Sequence, residues 1–567
     1  MIHYRLDLAT TAASTGYFSA VPQPEPSIEE GIACLHHHPN DSFIHAWLLE
    51  RIGQMDPDAA TALLDVDSKA DPLVDALVLE AATLHPHLSR LARRFNRRQM
   101  AALAEQSPLV FLRSQMLADQ DRHRRWAEWF HANIIRHRPL PPPQKVGLAP
   151  PVKGIDGSEA PLPEAAHLKS IVQRCLPDGA STAGTPRPPL ETTIDRATRR
   201  LERLKIFDGP EMRHQSSLSL YALLRRWTFD HRVTCGALHH TLASTQTAYG
   251  RGLSLEAARA SCLMEVVERC SAFASVDRHG IIGTRRTHPL IHGPRSGLSA
   301  DGLDVLDPNQ LRLEVPYRDE PLYWIEGEQC AKGGLRSIWV PAQCVFLFCN
   351  LDERSLFSGL GSTGLASGNT VAEARLSALY ELLERDSEAV NPYHPSRCFR
   401  VSSEDAPLRA LLDDYRARGI HLQFQDISPA FGIPCCTCFV THRDGTVSKG
   451  GGAHLDGRRA VLSALTETPY PYPAGPPSAP ALPDLPWLPF ETLPDFSTGK
   501  PDLDLILVEE TLRANGFSPI YVDITRADLD LPVVKALIPG FEMMADFDQY
   551  SRISPRLFNN YLNIHNK

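Results

Sequence analysis

The segment Gly252–Arg269, GLSLEAARASCLMEVVER, returns without a gap at Gly368–Arg385 as GNTVAEARLSALYELLER. Gly, Ala, Arg, Ser, Leu, two Glu and the closing Arg coincide. An internal repeat constrains a fold more tightly than composition does, because each copy is one structural unit. Ser254 and Thr370 stand where helix N-caps belong, and no Gly or Pro interrupts the residues that follow. The repeat predicts two matched helices, each closing on E-x-x-E-R.

Residues three apart share a helix face, so Glu265 points with Glu268, and Glu381 with Glu384. Four carboxylates on two facing helices suit Mg²⁺, which takes a few carboxylates plus water and substrate phosphates. The Arg after each second Glu can orient those carboxylates or meet a phosphate with its planar fork. One E-x-x-E-R alone would read as surface charge pairing. Two copies in matched apolar contexts point to a site.

A chain of 567 residues exceeds a single core. From about Asn40 to Arg138 the pattern is helical, with Ile44, Trp47, Leu48 and Ile52 at helical spacing. Residues 1–138 are therefore expected to form an all-α domain. Its basic stretches, RLARRFNRRQ and DRHRRWAEWFHANIIRHR, read as a solvated face or as a docking surface for an acidic peptide. The proline-rich run RPLPPPQKVGLAPPVKG opens an expected linker over residues 139–185. Residues 186–567 then read as an α+β core with relics of duplication. VPAQCVFLFCN looks like a buried strand. A second echo lies beyond it. GIHLQFQDISPAFGIPCCTCFV and GFSPIYVDITRADLDLPVVKALIPG each follow a helical pattern and predict a helix-strand-strand unit.

A net charge of −9 argues against a general nucleic-acid binder. The N-terminus shows no apolar signal region, and no run of about 18 apolar residues appears that could span a membrane. Twelve cysteines without disulfide-like spacing fit a reducing cytoplasm. GLGSTG at Gly359–Gly364 imitates a dinucleotide fingerprint with Glu381 about 20 residues on. The acid belongs to the repeat instead, since Glu265 recurs without such glycines. Cys435, Cys436 and Cys438 lack C-x-x-C spacing and read as buried structural thiols.

In this order, GRGLSLEAARASCLMEVVER, GLASGNTVAEARLSALYELLER, GGGAHLDGRRAVLSALTE and IYVDITRADLDLPVVKALIPGFE resemble the YcaO proteins. The likeness runs from about Pro186 to the C-terminus. It implies a mixed α/β YcaO-type fold that binds ATP and Mg²⁺ and activates a peptide backbone amide by phosphorylating its oxygen. Cyclodehydration, thioamidation, or an accessory role in methylthiolation of a ribosomal protein would follow. By position, Glu265, Glu268, Glu381 and Glu384 match the metal carboxylates, and Asn369, Glu373 and Arg385 match nucleotide-binding residues. Arg385 is the expected catalytic cation. Arg187 and Thr193 are the nearest candidates for a basic residue and a hydroxyl at the nucleotide. Glu373 has a competing role, since Thr370-x-x-Glu373 is a capping box. The implied partners are a peptide or protein substrate and a TfuA-like or other accessory protein, with a homodimer as the expected assembly.

Two departures bear on chemistry. The family continues after its T-E with T-E-x-x-Q-x-R, whereas LTETPYPYP places Tyr470 and Tyr472 there. Losing a cation beside a developing phosphoryl charge weakens turnover unless another Arg replaces it. PRLFNNYLNIHNK also lacks the proline-rich tail of azoline-forming members, which tilts expectation toward thioamidation, methylthiolation support or an atypical member. A non-catalytic scaffold that binds ATP or peptide is the alternative.

Overall fold

The structure is a computed structural model that describes all residues except 11–15, 66–70, 153–164, 177–183, 216, 544–545 and 566–567. Among the described residues, strands form three sheets, mixed ones of seven and five strands and an antiparallel one of six, interleaved with helices. The α+β expectation holds. Four helices carry the argument below: α1 (Leu190–Arg203), α2 (Leu255–Ala272), α3 (Val371–Val390) and α4 (Gly457–Glu467).

The repeat is what it promised. Ser254 caps α2 by accepting from the Ala257 N–H at 3.1 Å, and Thr370 caps α3 by accepting from the Glu373 N–H at 3.1 Å. The second echo also folds as expected. Helix Ala406–Ala417 leads into the antiparallel pair Gln423–Asp426 and Cys435–Thr441. Helix Pro501–Ala514 leads into the pair Ile520–Asp523 and Val533–Leu537.

Glycines set how closely the helices lie on their sheets. A Cβ at Gly250 would stand 2.1 Å from the Ala258 carbonyl oxygen, so α2 rests directly on the Leu238–Gly252 strand. Gly450 and Gly452 do the same for α4 on the Val447–Ala453 strand, where a Cβ at Gly452 would stand 2.1 Å from the Ala460 oxygen.

Three expectations need correction. Helices do occupy most of residues 28–135. However, Ile2–Thr10 and Gly16–Pro22 are antiparallel strands, and the first pairs in parallel with Leu238–Gly252 of the core. These strands join a sheet because alternate residues such as Tyr4 and Leu6 are buried, a two-residue period that the reading from Asn40 onward did not cover. The helical layer is also docked elsewhere: Trp126 and Phe130 pack against Phe558 and Tyr561, and Arg552 forks onto Asp119 at 2.8 and 3.1 Å.

The linker is likewise part of the core where it is described. Helix Leu168–Cys175 buries Leu168 and Ile171, and the Leu168 N–H donates to the Phe431 carbonyl at 2.8 Å. Residues 153–164 and 177–183 of that expected linker lie outside the described residues. Finally, VPAQCVFLFCN is buried but is not a strand. Pro341 ends the Gly334–Pro341 strand and a 3₁₀ turn follows at Ala342–Cys344. A buried apolar run satisfies either conformation, and burial alone does not choose between them.

Candidate functional site

A cleft of about 630 Å³ opens where α1, α2, α3 and α4 meet. Its polar lining falls into two groups. The acidic group is Glu268 from α2, Glu381 and Glu384 from α3, and Glu467 from the end of α4, with Arg385 beside them. The second group lies toward the helix N-termini and holds Arg187, Thr193, Asn369, Glu373 and Arg459. Small residues, Ser261, Ser377 and Ser463, also line the cleft.

Burial dominates the acidic group. It pushes Glu268 up to about 8 and raises Glu381, Glu384 and Glu467 as well; neighbouring carboxylates raise Glu268, Glu384 and Glu467 further, whereas Arg385, Arg269 and Lys535 oppose the rise at Glu381. Glu384 Oε1 has no hydrogen-bond donor; the nearest cation is the Arg385 guanidinium at 3.5 Å. Arg385 also faces Glu388 at 3.3 Å, and the surrounding carboxylates raise its pKa against the cost of burial. Lys535 enters from the Val533–Leu537 strand, 1% exposed, with its Nζ donating to the Thr363 carbonyl at 2.7 Å. Burial holds it down to about 8 against the opposing pull of Glu381.

Glu265 is placed differently from expectation. It does not line the cleft; its carboxylate accepts from the Tyr249 N–H at 3.0 Å and faces Arg269 at 3.7 Å. Glu467 takes the open position in its stead. A sequence signal for Glu467 existed: each Glu falls eleven residues after its cap, in Ser254–Glu265, Thr370–Glu381 and Asp456–Glu467. Eleven residues are close to three helical turns, so all three Glu sit on the faces their caps define. Lys535 was also missed, although a lone Lys in the otherwise apolar run VVKAL was visible.

In the second group, Thr193 Oγ1 donates to Asn369 Oδ1 at 3.1 Å. The Glu373 carboxylate accepts from the Asn369 N–H at 3.0 Å rather than from the cap residue, so the capping box does not close. Its other oxygen faces Arg187 at 3.6 Å. Tyr470 and Tyr472 turn away from the cleft into a core cluster, where they bond the Pro476 carbonyl and Asp414. Arg458 is bound to Asp456 and Asp495 and does not reach the cleft, whereas Arg459 does.

The arrangement fits a metal-bound phosphate ligand. An undonated buried carboxylate among others raised by burial is relieved by a divalent cation. Among the described residues, no three Asp, Glu, His or Cys side chains are gathered as a protein-only ion site requires. Arg269, Arg385 and Lys535 stand among the carboxylates and keep them spread. Mg²⁺ tolerates this, because it needs only one or two carboxylates when waters and phosphates complete its shell. The three thiols Cys435, Cys436 and Cys438 are buried in a strand, as expected. No described helix is long and apolar enough to cross a membrane.

Fold and cleft thus define a mixed α/β protein with a carboxylate-lined site between duplicated helices. The family model described as YcaO cyclodehydratase, ATP- and Mg²⁺-binding, matches residues 249–469 and 468–542, just over half of the chain. The chain belongs to the YcaO family. An uncharacterized protein of Methanothermobacter thermautotrophicus is 28% identical over 52% of this chain and 82% of its own length. An uncharacterized protein encoded in the tfuA 3′ region of Rhizobium leguminosarum bv. trifolii is 31% identical over 40% of this chain and 54% of its own length. Among solved structures, the YcaO protein of Methanopyrus kandleri bound with AMPPCP and Mg²⁺ is similar, with a TM-score of 0.47 and 21% identity over 65% of this chain and 95% of that one. A heterocyclase in complex with substrate and cofactor gives a TM-score of 0.49 at 18% identity, covering 66% and 56%.

Proposed function

We propose that this protein activates a backbone amide of a peptide or protein by transferring the γ-phosphoryl group of ATP to the amide oxygen. The observation that carries this reading is the set Glu268, Glu381, Glu384 and Glu467 along one cleft, with Glu384 buried, the others half-buried and Glu384 Oε1 lacking a donor. Mg²⁺·ATP bound there supplies the phosphoryl group that turns a poor leaving oxygen into phosphate. Glu268, Glu381 and Glu384 are our metal ligands, with Glu467 added and Glu265 acting from behind through Arg269. Arg385 faces the same space and is our choice for offsetting charge on the transferring group, because Tyr470 and Tyr472 bring no cation. Thr193, Asn369, Glu373 and Arg187 bind the remainder of the nucleotide.

Of the reactions open to such an enzyme, we favour thioamidation: a sulfide adds to the amide carbon, the oxygen leaves as phosphate, and sulfur replaces it. The relative encoded in the tfuA 3′ region supports this choice and an accessory partner of the TfuA kind. The test incubates the purified protein with Mg²⁺·ATP, sulfide and a peptide encoded beside its gene. Peptide-dependent phosphate release with exchange of one oxygen for sulfur in the mass spectrum is expected. Loss of water instead would mean cyclodehydration. Bound ATP with no phosphate release would leave a non-catalytic scaffold.

A further inference from the structure

One charged chain of contacts runs behind the cleft. Glu388 stands on α3 one turn beyond Glu384 and does not line the cleft; its two oxygens are divided between two cations. Oε2 accepts from Arg385 Nη1 at 3.3 Å, and Oε1 is paired with Lys449 Nζ. Lys449 comes from the Val447–Ala453 strand, and its Nζ also donates to the Ile134 carbonyl at 3.1 Å. Ile134 lies in the helical turn His131–Ile135, so the N-terminal helical layer contributes an oxygen to this chain. The Glu388 and Lys449 side chains are 13% and 16% exposed, which shields their pair from solvent, whereas Arg385 is 41% exposed and reaches into the cleft. Burial raises the Glu388 carboxyl, but Lys449 and then Arg385 outweigh it and leave its pKa below the ordinary value, so it keeps its charge.

Arg385 is pulled from two sides. Its Nη2 faces Glu384 at 3.5 Å and its Nη1 faces Glu388 at 3.3 Å. Glu384 is one of our metal ligands and shares its charge with Mg²⁺ when the ion binds. Glu388, away from the cleft lining, keeps its full pull. The guanidinium is then held through Nη1, which leaves Nη2 for a phosphate oxygen. We infer that Glu388 positions Arg385 for phosphoryl transfer, and that Lys449 and the Ile134 carbonyl anchor Glu388. The inference rests on the amide-activation reading above. A cation fixed before the reaction needs no reorganisation when charge develops, so the gain falls on turnover rather than on ATP affinity. A pair that merely fastened the helical layer to the core would change stability and leave that distinction untouched.

The test compares Glu388→Gln, Lys449→Met and their double variant with wild type. It reads Mg²⁺·ATP calorimetry, phosphate release with the peptide encoded beside the gene, and the arginine Nε–H signals in NMR spectra. Glu388→Gln is expected to lower kcat about tenfold with ATP Kd held within about twofold. The double variant, which leaves no lone buried charge, should lose kcat by the same factor. In an Arg385→Met background Glu388→Gln should cost less than about twofold, because no guanidinium remains to be positioned. The Arg385 Nε–H signal, assigned by its loss in Arg385→Met, should move in both Glu388→Gln and Lys449→Met. An undiminished kcat in Glu388→Gln, or its full loss repeated in the Arg385→Met background, would overturn the inference. So would an equal loss of ATP affinity, which would put Glu388 among the binding residues. Wild type that binds Mg²⁺·ATP and releases no phosphate would overturn the amide-activation reading instead. The Arg385 signal then decides the inference, which falls if Glu388→Gln leaves that signal unmoved.

Discussion

The carboxylate of Glu384 lies directly on the backbone of Gly451: a methyl group at Gly451 would stand 2.6 Å from Oε1. Gly451 is in a strand between two glycines that α4 covers, so neither the strand nor the helix can retreat. Gly451→Ala is therefore expected to displace Glu384 and lower Mg²⁺·ATP affinity at least about tenfold, with a stability loss of about 1–3 kcal/mol. Calorimetry and a denaturant titration check the two parts separately.

Glu467 and Glu265 occupy equivalent places in their helices but different places at the cleft. Glu268→Gln, Glu384→Gln and Glu467→Gln should each abolish measurable Mg²⁺·ATP binding, since each loses a hard anionic oxygen with little change of volume. Glu265→Gln should weaken binding by less, because it acts through Arg269. A Glu467→Gln protein with wild-type affinity would exclude that residue from the site.

The buried carboxylates link stability to pH. Glu268 titrates at about 8 in the folded protein, against 4.5 ordinarily. Between those values the folded state holds a proton that the unfolded chain has released. Stability without nucleotide therefore falls as pH rises from about 4.5 to about 8, by on the order of a few kcal/mol for this group. Glu268→Gln should flatten that slope and melt higher than wild type at pH 8, even as it loses nucleotide. Melting temperatures at pH 6 and pH 8 decide it.

Arg385 keeps its charge but loses its fork in Arg385→Lys. Turnover should fall by about tenfold or more while ATP affinity changes little, because charge on the phosphoryl group develops in the transition state. Arg458, tied to Asp456 and Asp495, serves as the control: Arg458→Ala should cost about 1 kcal/mol of stability and leave kcat unchanged.

Removing residues 1–138 should not release an independent core. The cut strips the Ile2–Thr10 strand from the edge of Leu238–Gly252 and exposes Phe558 and Tyr561. A fragment of residues 139–567 is expected to aggregate or melt well below the full chain. A soluble, ATP-binding fragment with the full melting temperature would show the docking to be dispensable.

Local rules made much of this legible. Caps at Ser254 and Thr370, uninterrupted helical runs and Glu spacing three apart depend on neighbours along the chain, so the sequence by itself determined α2, α3 and the faces their carboxylates share. The echoed helix-strand-strand units and the buried Cys435, Cys436 and Cys438 were readable for the same reason. Tertiary structure decided what distant segments share. The pairing of Ile2–Thr10 with a strand more than 200 residues away leaves no local trace, and neither does the docking of Trp126 on Tyr561. Which carboxylates face the cleft was settled likewise. Glu265 turns to the Tyr249 N–H and Arg269, whereas Glu467, at the end of α4, lines the cleft. Helical periodicity fixes which side of a helix a residue occupies. Only packing decides what that side meets.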